Sequence, residues 1–410
     1  MWQLRHAVHR QVDVHASAEA AIIRRLGALP RLGNGIGLER VARALDVLNL
    51  RLPPSIKVTG SNGKGSTAAM CAAVLRAHGL RVGLFTSPHY TRITERIDVD
   101  GPLDATAFNT HLVVAAAALG GTTYNRFELL TVAAAHAFAG AGVQYIVWEA
   151  GIGGRHDPTR LMAGNVAVLT QVARQHAALL GDMPEEIAAN KADILDHGTL
   201  VVARDTAGLL KPRATHQVVV ASDEAPPSNL VGRHQQSNAR CAVAAVRALL
   251  GPLYAPNAAI RGLKQVRWPG RFETSHVDGV TMVIDAAHDP SSLAHVAETL
   301  WSRMGDGYRQ PVVLVFGCSR GLPAADMLDA IAGGVDHVIM SSARHKGRPA
   351  EQLAALWRGP SLAIESLEVA LAHARRVARA EGALVLVTGG LFLAAEATAL
   401  TKNLEAPIFF

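Results

Sequence analysis

Apolar residues fall in short runs along this chain, and most runs end at a glycine or a polar turn. Ser55–Thr59 reads as a strand and leads into a glycine-rich loop, Gly60 to Gly65. An alanine-rich stretch from Ser66 to His78 predicts a helix that Gly79 stops. Arg81–Phe85 then reads as strand, which completes a strand–helix–strand order, the unit of a parallel sheet. Upstream, Ile22, Ile23 and Leu26 share one helix face and Val41, Leu45 and Leu48 another, with loop over Arg31–Gly37 between them. Downstream, helices are expected near 104–119 and 127–140, strands at Gln144–Trp148 and Asn165–Thr170, and a helix near 184–195. Strands near 199–203 and 217–221 and helices near 235–250 and 256–265 close this half. Pro269 and Gly270 interrupt Val266–Phe272, which reads as a linker. A second series follows, with strands at Thr281–Ile284, Val312–Phe316, His337–Ser341 and Ala383–Val387. The pattern predicts two α/β domains, over 1–268 and 269–410, the second being smaller.

Composition narrows the classes. The chain has 410 residues, 49% of them hydrophobic and 18% charged, with no charge run or low-complexity tract, which excludes a disordered protein. The net charge of +6 suits anionic small ligands, but the basic residues are scattered, so nucleic acid is not an expected partner. Cys71, Cys241 and Cys318 form no CxxC pair, which argues against a zinc site or a disulfide framework. The first residues, MWQLRHAVHRQVDV, lack an apolar signal core, and no run approaches a membrane span. A cytoplasmic protein with no membrane partner is expected.

The sharpest chemical signal is Thr59-Gly-Ser-Asn-Gly-Lys-Gly-Ser-Thr67. A glycine-rich turn between strand and helix lets backbone N–H groups approach phosphates, and the helix start adds positive potential. Lys64 suits β- and γ-phosphates, and Ser66 or Thr67 suits phosphate or Mg²⁺. The spacing departs from the strict phosphate-loop pattern, because Val58 holds the first position and Gly65 separates Lys64 from Ser66. Two more features follow strand ends, where open parallel sheets build sites: Thr86-Ser-Pro-His89 and Glu149-Ala-Gly-Ile-Gly-Gly-Arg155. A carboxylate after an apolar strand is costly to bury unless it is paired or metal-bound. Glu149 suits Mg²⁺, with the Ser87 hydroxyl as a second oxygen donor, or it serves as a helix cap or an ion-pair partner.

In this order, the phosphate loop, Thr86–His89, Thr91–Ile97 and Glu149–Arg155 resemble the folylpolyglutamate synthase/dihydrofolate synthase family, a branch of the Mur ligase superfamily. Further pieces match: Gly37-Leu-Glu-Arg40, Phe127–Thr131, Gly181-Asp182 with Ile187 and Lys191, Gly232–Gln235 with Asn238, Pro269-Gly-Arg271, Asp285-Ala-Ala-His288 and Val387-Thr-Gly-Gly390. With 59 residues before Gly60, the extra N-terminal nucleotide-sugar domain of the peptidoglycan-building branch is not expected.

The resemblance implies a P-loop-containing parallel-sheet ATP-binding domain followed by a Rossmann-like C-terminal domain. It implies an ATP-dependent amide ligase that passes through an acyl phosphate and adds glutamate to a pteroate or folate. Implied contacts for ATP are Gly60, Asn62, Gly63, Lys64, Gly65, Ser66, Thr67, Asn238, Arg271 and Asp285. Lys64, Arg271 and His288 are the implied catalytic residues, with Arg271 reaching the γ-phosphate as the domains close. Ser87, Glu149 and His176 are implied Mg²⁺ ligands, joined by Lys191 if it is carbamylated. Without the family match, His176 reads equally as a solvated histidine and Arg271 as a linker cap.

Several positions depart from the family. Gln175 stands where Asp is usual, Asp289 ends the Asp285–Asp289 segment, Arg160 ends Asp157-Pro-Thr-Arg160, and Arg320-Gly-Leu-Pro323 replaces a usual Lys-Asp. Asp289 is expected to place a negative charge near a phosphate site, which is unfavourable unless Mg²⁺ or another cation offsets it. Three readings therefore stay open: a folate-type glutamate ligase, the same chemistry on another acid or amino acid, and a nucleotide-binding partner protein without turnover.

Overall fold

The computed structural model describes residues 18–30, 38–121, 124–174, 177–211, 215–222, 224, 226–304 and 310–410. The loop over Arg31–Gly37, with the first residue of the Gly37–Arg40 motif, and Gln175 and His176 lie outside the described residues. The chain divides into two units. One runs to Asn229 and resumes over Gln235–Arg267, with Phe410; the other holds Leu230–His234 and Trp268–Phe409.

In the first unit, helix α1 covers residues 18–27 and α2 covers Leu38–Leu48. Strand β1 (Ser55–Thr59), α3 (Lys64–Ala77), β2 (Val82–Phe85), β3 (Ile97–Val99), α4 (Ala105–Leu119), α5 (Arg126–Gly140) and β4 (Tyr145–Glu149) follow. Then come β5 (Val166–Leu169), α6 (Ala177–Leu180), α7 (Pro184–Ala192), β6 (Gly198–Val202), α8 (Arg204–Ala207), β7 (His216–Val220), α9 (Arg233–Leu250) and α10 (Pro256–Gln265). The strands form one sheet in the order β3-β2-β4-β1-β5-β6-β7, and only β2 and β3 run antiparallel. β1, β2 and β5 are buried along their whole length, as strands covered on both faces are; β5 reads as a continuous apolar run, while β1 carries Ser55, Lys57 and Thr59 among its buried residues. β1 lies between β4 and β5, although the chain reaches β2 before β4. That reversal opens a crevice at the carboxyl ends of the central strands.

The second unit contains β8 (Glu273–Val277), β9 (Val280–Ile284), α11 (Pro290–Met304), β10 (Val312–Phe316), α12 (Ala324–Ile331) and β11 (His337–Ser342). α13 (Ala350–Ala354), β12 (Leu362–Ser366), α14 (Leu367–Glu381), β13 (Leu384–Thr388) and α15 (Leu391–Lys402) complete it. The sheet order is β12-β11-β10-β13-β9-β8, parallel except for the β8–β9 hairpin. That hairpin turns at Asp278 (φ 50°) and Gly279 (φ 78°), the paired positive φ values that match strand twist in a two-residue turn. Both units are α/β with mainly parallel sheets, as the alternating pattern implied. Among the described residues, no helix is long and apolar enough to cross a membrane.

Candidate active site

The loop that follows β1 is shaped by two glycines. Gly60 and Gly63 hold φ values of +151° and +85°, and a Cβ on Gly60 would fall 1.8 Å from Thr170 Oγ1. A Cβ on Gly63 would fall 2.4 Å from Asn238 Oδ1, so conformation and crowding both demand glycine. Thr170, just past β5, donates its hydroxyl to the Asn62 carbonyl at 2.7 Å, and Ser61 N–H donates to Gln171 at 2.7 Å. These bonds fasten the loop to the neighbouring strand end. α3 starts at Lys64 and runs on through Gly65, Ser66 and Thr67; the N–H groups ahead of Thr67, whose own N–H donates to the Gly63 carbonyl at 2.9 Å, are those that a helix start leaves for an anion. Lys64 Nζ curls back onto the Gly60 and Ser61 carbonyls at 3.1 and 3.0 Å. Ser66 Oγ accepts from Gln235 at 3.3 Å, and Gln235 accepts from Asn238 Nδ2 at 3.0 Å. Asn238 is thus braced against the loop. Thr67 Oγ1 is buried without a hydrogen-bond partner among the described residues.

Beside this loop lies a buried carboxylate. Glu149 ends β4, pairs with Val58 across the sheet, and is 4% exposed. Its carboxylate accepts the Ser87 N–H at 3.0 Å. Arg96 completes the cluster by donating to Ser87 Oγ and to His89 Nδ1, both at 3.0 Å. Burial lowers the Arg96 guanidinium to about 10, and nearby Glu149 opposes that shift. Ser87 and Glu149 are thus joined by the Ser87 N–H, while the buried Arg96, inside the Thr91–Ile97 motif, holds the Ser87 hydroxyl. Nothing in periodicity distinguishes a buried arginine from a surface one.

A third element carries a lysine to the same loop. Lys191, on α7 and 3% exposed, donates to the Gly60 carbonyl at 2.8 Å, so two ammonium groups converge on one oxygen. Desolvation, and then the nearby Lys64, lower Lys191 to about 7, while Asp157 pulls the other way. α7 is seated by the glycine pair after Glu149. A Cβ on Gly154 would fall 2.2 Å from the Lys191 carbonyl oxygen, and Arg155 N–H donates to Asn190 O at 2.9 Å. Asp157 shapes the loop by accepting from the N–H groups of Gly151, Ile152 and Thr159 at 2.8, 3.1 and 3.0 Å. Burial raises its carboxyl, and those bonds partly offset the rise. Gly154→Ala should lower stability by roughly 1–3 kcal/mol, because the clash is with backbone. An unchanged urea midpoint would show that α7 is not seated on this glycine.

The second unit gathers its own expected residues. Asp285, 6% exposed, accepts from Phe272 N–H and Ala287 N–H at 2.8 Å each. Burial raises its carboxyl, and nearby Arg271 chiefly opposes this. Arg271 donates to the Gly270 carbonyl at 3.0 Å, and His288 Nδ1 lies 3.3 Å from the Ala286 carbonyl. Asp289 has a local partner in the structure. Its carboxylate accepts the Ser292 N–H at 2.9 Å and so caps the start of α11, which makes a negative charge favourable there. The positive charge of Arg160 is likewise engaged, by Asp196 at 2.5 Å and the Arg155 carbonyl at 2.9 Å.

Among the described residues, no group of three His, Cys, Asp or Glu could hold a metal. The donors present are the Glu149 carboxylate, the Ser87 hydroxyl and the unpartnered Thr67 hydroxyl. Such a sparse oxygen set fits a hard cation that takes its remaining ligands from phosphate and water.

Comparison with known proteins follows the same division. Residues 58–225 match the Mur ligase middle domain and residues 270–391 match the glutamate ligase domain of Mur ligases. The dihydrofolate synthase/folylpolyglutamate synthase of Escherichia coli is 32% identical over 297 residues, 66% of this chain and 68% of that protein. The chain belongs to this family. The probable bifunctional folylpolyglutamate synthase/dihydropteroate synthase of Halobacterium salinarum is 33% identical over 388 residues, 84% of this chain and 46% of that protein. The chain thus spans about half the length of the folylpolyglutamate synthase/dihydropteroate synthase relatives it matches. Among solved structures, the bifunctional folylpolyglutamate synthase/dihydrofolate synthase of Yersinia pestis, complexed with AMPPNP and a Mn ion, superposes with a TM-score of 0.81. It is 26% identical, and the match covers 93% of this chain and 97% of that one.

Proposed function

We propose that the chain is an ATP-dependent carboxylate–amine ligase that adds a glutamate-like amino acid to a folate- or pteroate-like acid. The observation that carries this reading is the convergence of Lys64 and Lys191 on the Gly60 carbonyl, inside a glycine-shaped loop at a helix start. The Lys64 ammonium there prepares a place for the charge of a triphosphate, and Lys191 stands beside it. Family membership supports the same chemistry.

In the proposed reaction, the acid's carboxylate attacks the γ-phosphate of ATP and gives an acyl phosphate and ADP. The amino acid's amine then attacks the acyl carbon, and phosphate leaves. The loop from Gly60 to Thr67 holds the phosphates through backbone N–H groups, and Lys64 offsets the charge that builds on them. Asn238 keeps the loop shaped and is read as an adenine contact. Ser87, Glu149 and His176 are the proposed Mg²⁺ ligands; the cation, when bound, neutralises phosphate charge. Lys191 joins them only once it carries a carbamate, and its lowered value of about 7 leaves the uncharged amine that reacts with CO₂ abundant at neutral pH. Arg271, Asp285 and His288 are proposed to serve ATP as well. A cytoplasmic location is proposed with this reading.

One observation favours a variant of this reading. Where the family usually has Lys-Asp, Arg320 is exposed and donates to the Gly347 carbonyl at 3.1 Å. A loop that carries no carboxylate at this place suits an amino acid or acid other than the folate pair.

Phosphate release measured over a panel of aromatic acids and amino acids tests the proposal. The expected result is release that needs Mg²⁺, an acid and an amine together. Nucleotide binding with no release under any pair would leave a binding protein and refute the ligase reading.

A further inference from the structure

Lys57 stands in the middle of β1, a strand whose residues are all buried, and it is itself 3% exposed. Its neighbours across the sheet are Trp148 on β4 and Ala167 on β5. A lysine here is costly, because an ammonium taken out of water must regain its hydration from fixed groups. The groups it meets are informative. Nζ donates to the Arg160 carbonyl at 2.7 Å and lies 3.4 Å from the Ile194 carbonyl. Arg160 belongs to the segment that runs on from Glu149 through Gly153 and Gly154, and Ile194 lies just past the helix that carries Lys191. These segments also bind each other through Arg155 with Asp193 at 2.6 Å and Arg160 with Asp196 at 2.5 Å. Lys57 is the point where both meet the strand that ends in the phosphate loop.

If stability were the only demand, a methionine would fill the same length of strand without a desolvation cost. The charge makes sense as a device that holds two carbonyls at once. We propose that Lys57 is a positioning residue of the ligase reaction, tying the segment behind Glu149 and the helix end behind Lys191 to β1, and so fixing both side chains relative to Gly60. Burial lowers its ammonium to about 8, with Asp196 opposing the shift, so the charged form still predominates at neutral pH. The proposal rests on the ligase reading above, because it assigns Glu149 and Lys191 their tasks.

Lys57→Met and Lys57→Arg, compared with the unaltered chain, test it through melting temperature, amide hydrogen exchange and phosphate-release kinetics. For Lys57→Met the melting temperature should hold or rise. Exchange should quicken over residues 151–160 and 191–196 but not over α3. The kcat should fall about 10- to 100-fold, with KM for ATP within about threefold, as expected when groups are misplaced rather than lost. Lys57→Arg, which keeps a charged donor, should recover most of kcat. Unchanged exchange in both segments overturns the proposal, and so does a lower melting temperature with an unaltered kcat. If the unaltered chain releases no phosphate with any acid, the ligase reading fails, while the exchange comparison still decides whether Lys57 ties the two segments. If Lys57→Met does not fold, Lys57→Gln takes its place, with the same two outcomes.

Discussion

Lys64→Ala should abolish ATP turnover, by at least about a hundredfold, while the fold survives. The two halves of that result have separate causes. Lys64 begins α3, where alanine is the best helix former, and Gly63 already makes the turn into the helix. The side chain packs no core; its ammonium folds back onto the Gly60 and Ser61 carbonyls. Removing it therefore costs little structure. Its charge, however, is placed where a triphosphate develops negative charge as the terminal phosphoryl group transfers, and such a contact is stronger in the transition state than in the bound substrate. The expected signature is a large fall in kcat and a smaller change in nucleotide affinity. Phosphate release and nucleotide titration on one preparation, with circular dichroism to verify the helix content, check it. Turnover within a few-fold of the unaltered chain would remove the phosphate-loop assignment.

The parts of the molecule legible in the sequence are those set by local rules. β1, β2, β5 and β10 are buried along their whole length; β5 and β10 are unbroken apolar stretches in the sequence, and β1 is marked instead by the glycine-rich loop it leads into. The Gly60–Gly65 loop was visible because backbone that must approach other atoms closely permits only glycine. Three strands escaped: β3, β8 and β12. β3 spans only Ile97–Val99, and β8 and β12 are edge strands with half-buried or exposed faces, so they carry no apolar run. The Asp278-Gly279 pair was the available signal for β8, since that dipeptide favours the hairpin turn it makes. In the candidate site, the closeness of Ser87 to Glu149 and the glycine-shaped loop follow features visible in the sequence, but the residues that hold them were not visible. Arg96 and Asp157 act through contacts that only the folded chain creates. Nor was the helix cap at Asp289 legible, because it too rests on a contact the folded chain makes.

Lys191→Met should make the protein more stable in mild acid and inactive at every pH. Lys191 is nearly fully buried and its ammonium is lowered from the usual 10.5 to about 7. The unfolded chain therefore holds this proton more tightly than the folded one. Below about pH 7 the folded protein bears the whole penalty of a buried charge, on the order of a few kcal/mol. As pH rises from 7 toward 10.5 the folded amine is neutral while the unfolded one still binds a proton, so the penalty shrinks. Methionine has no charge to bury, and its gain over the unaltered chain should be clear at pH 6 and much smaller at pH 9. Urea unfolding of both proteins at the two pH values measures this. Turnover should nonetheless fall by at least about a hundredfold, because methionine cannot accept the CO₂ that the proposed carbamate role of Lys191 needs. An equal stability gain at both pH values would mean that Lys191 is not held near neutrality, and retained turnover would remove it from the site. A lysine that destabilises the fold where it stands, yet is needed for turnover, is what a functional site embedded in an otherwise apolar interior should contain.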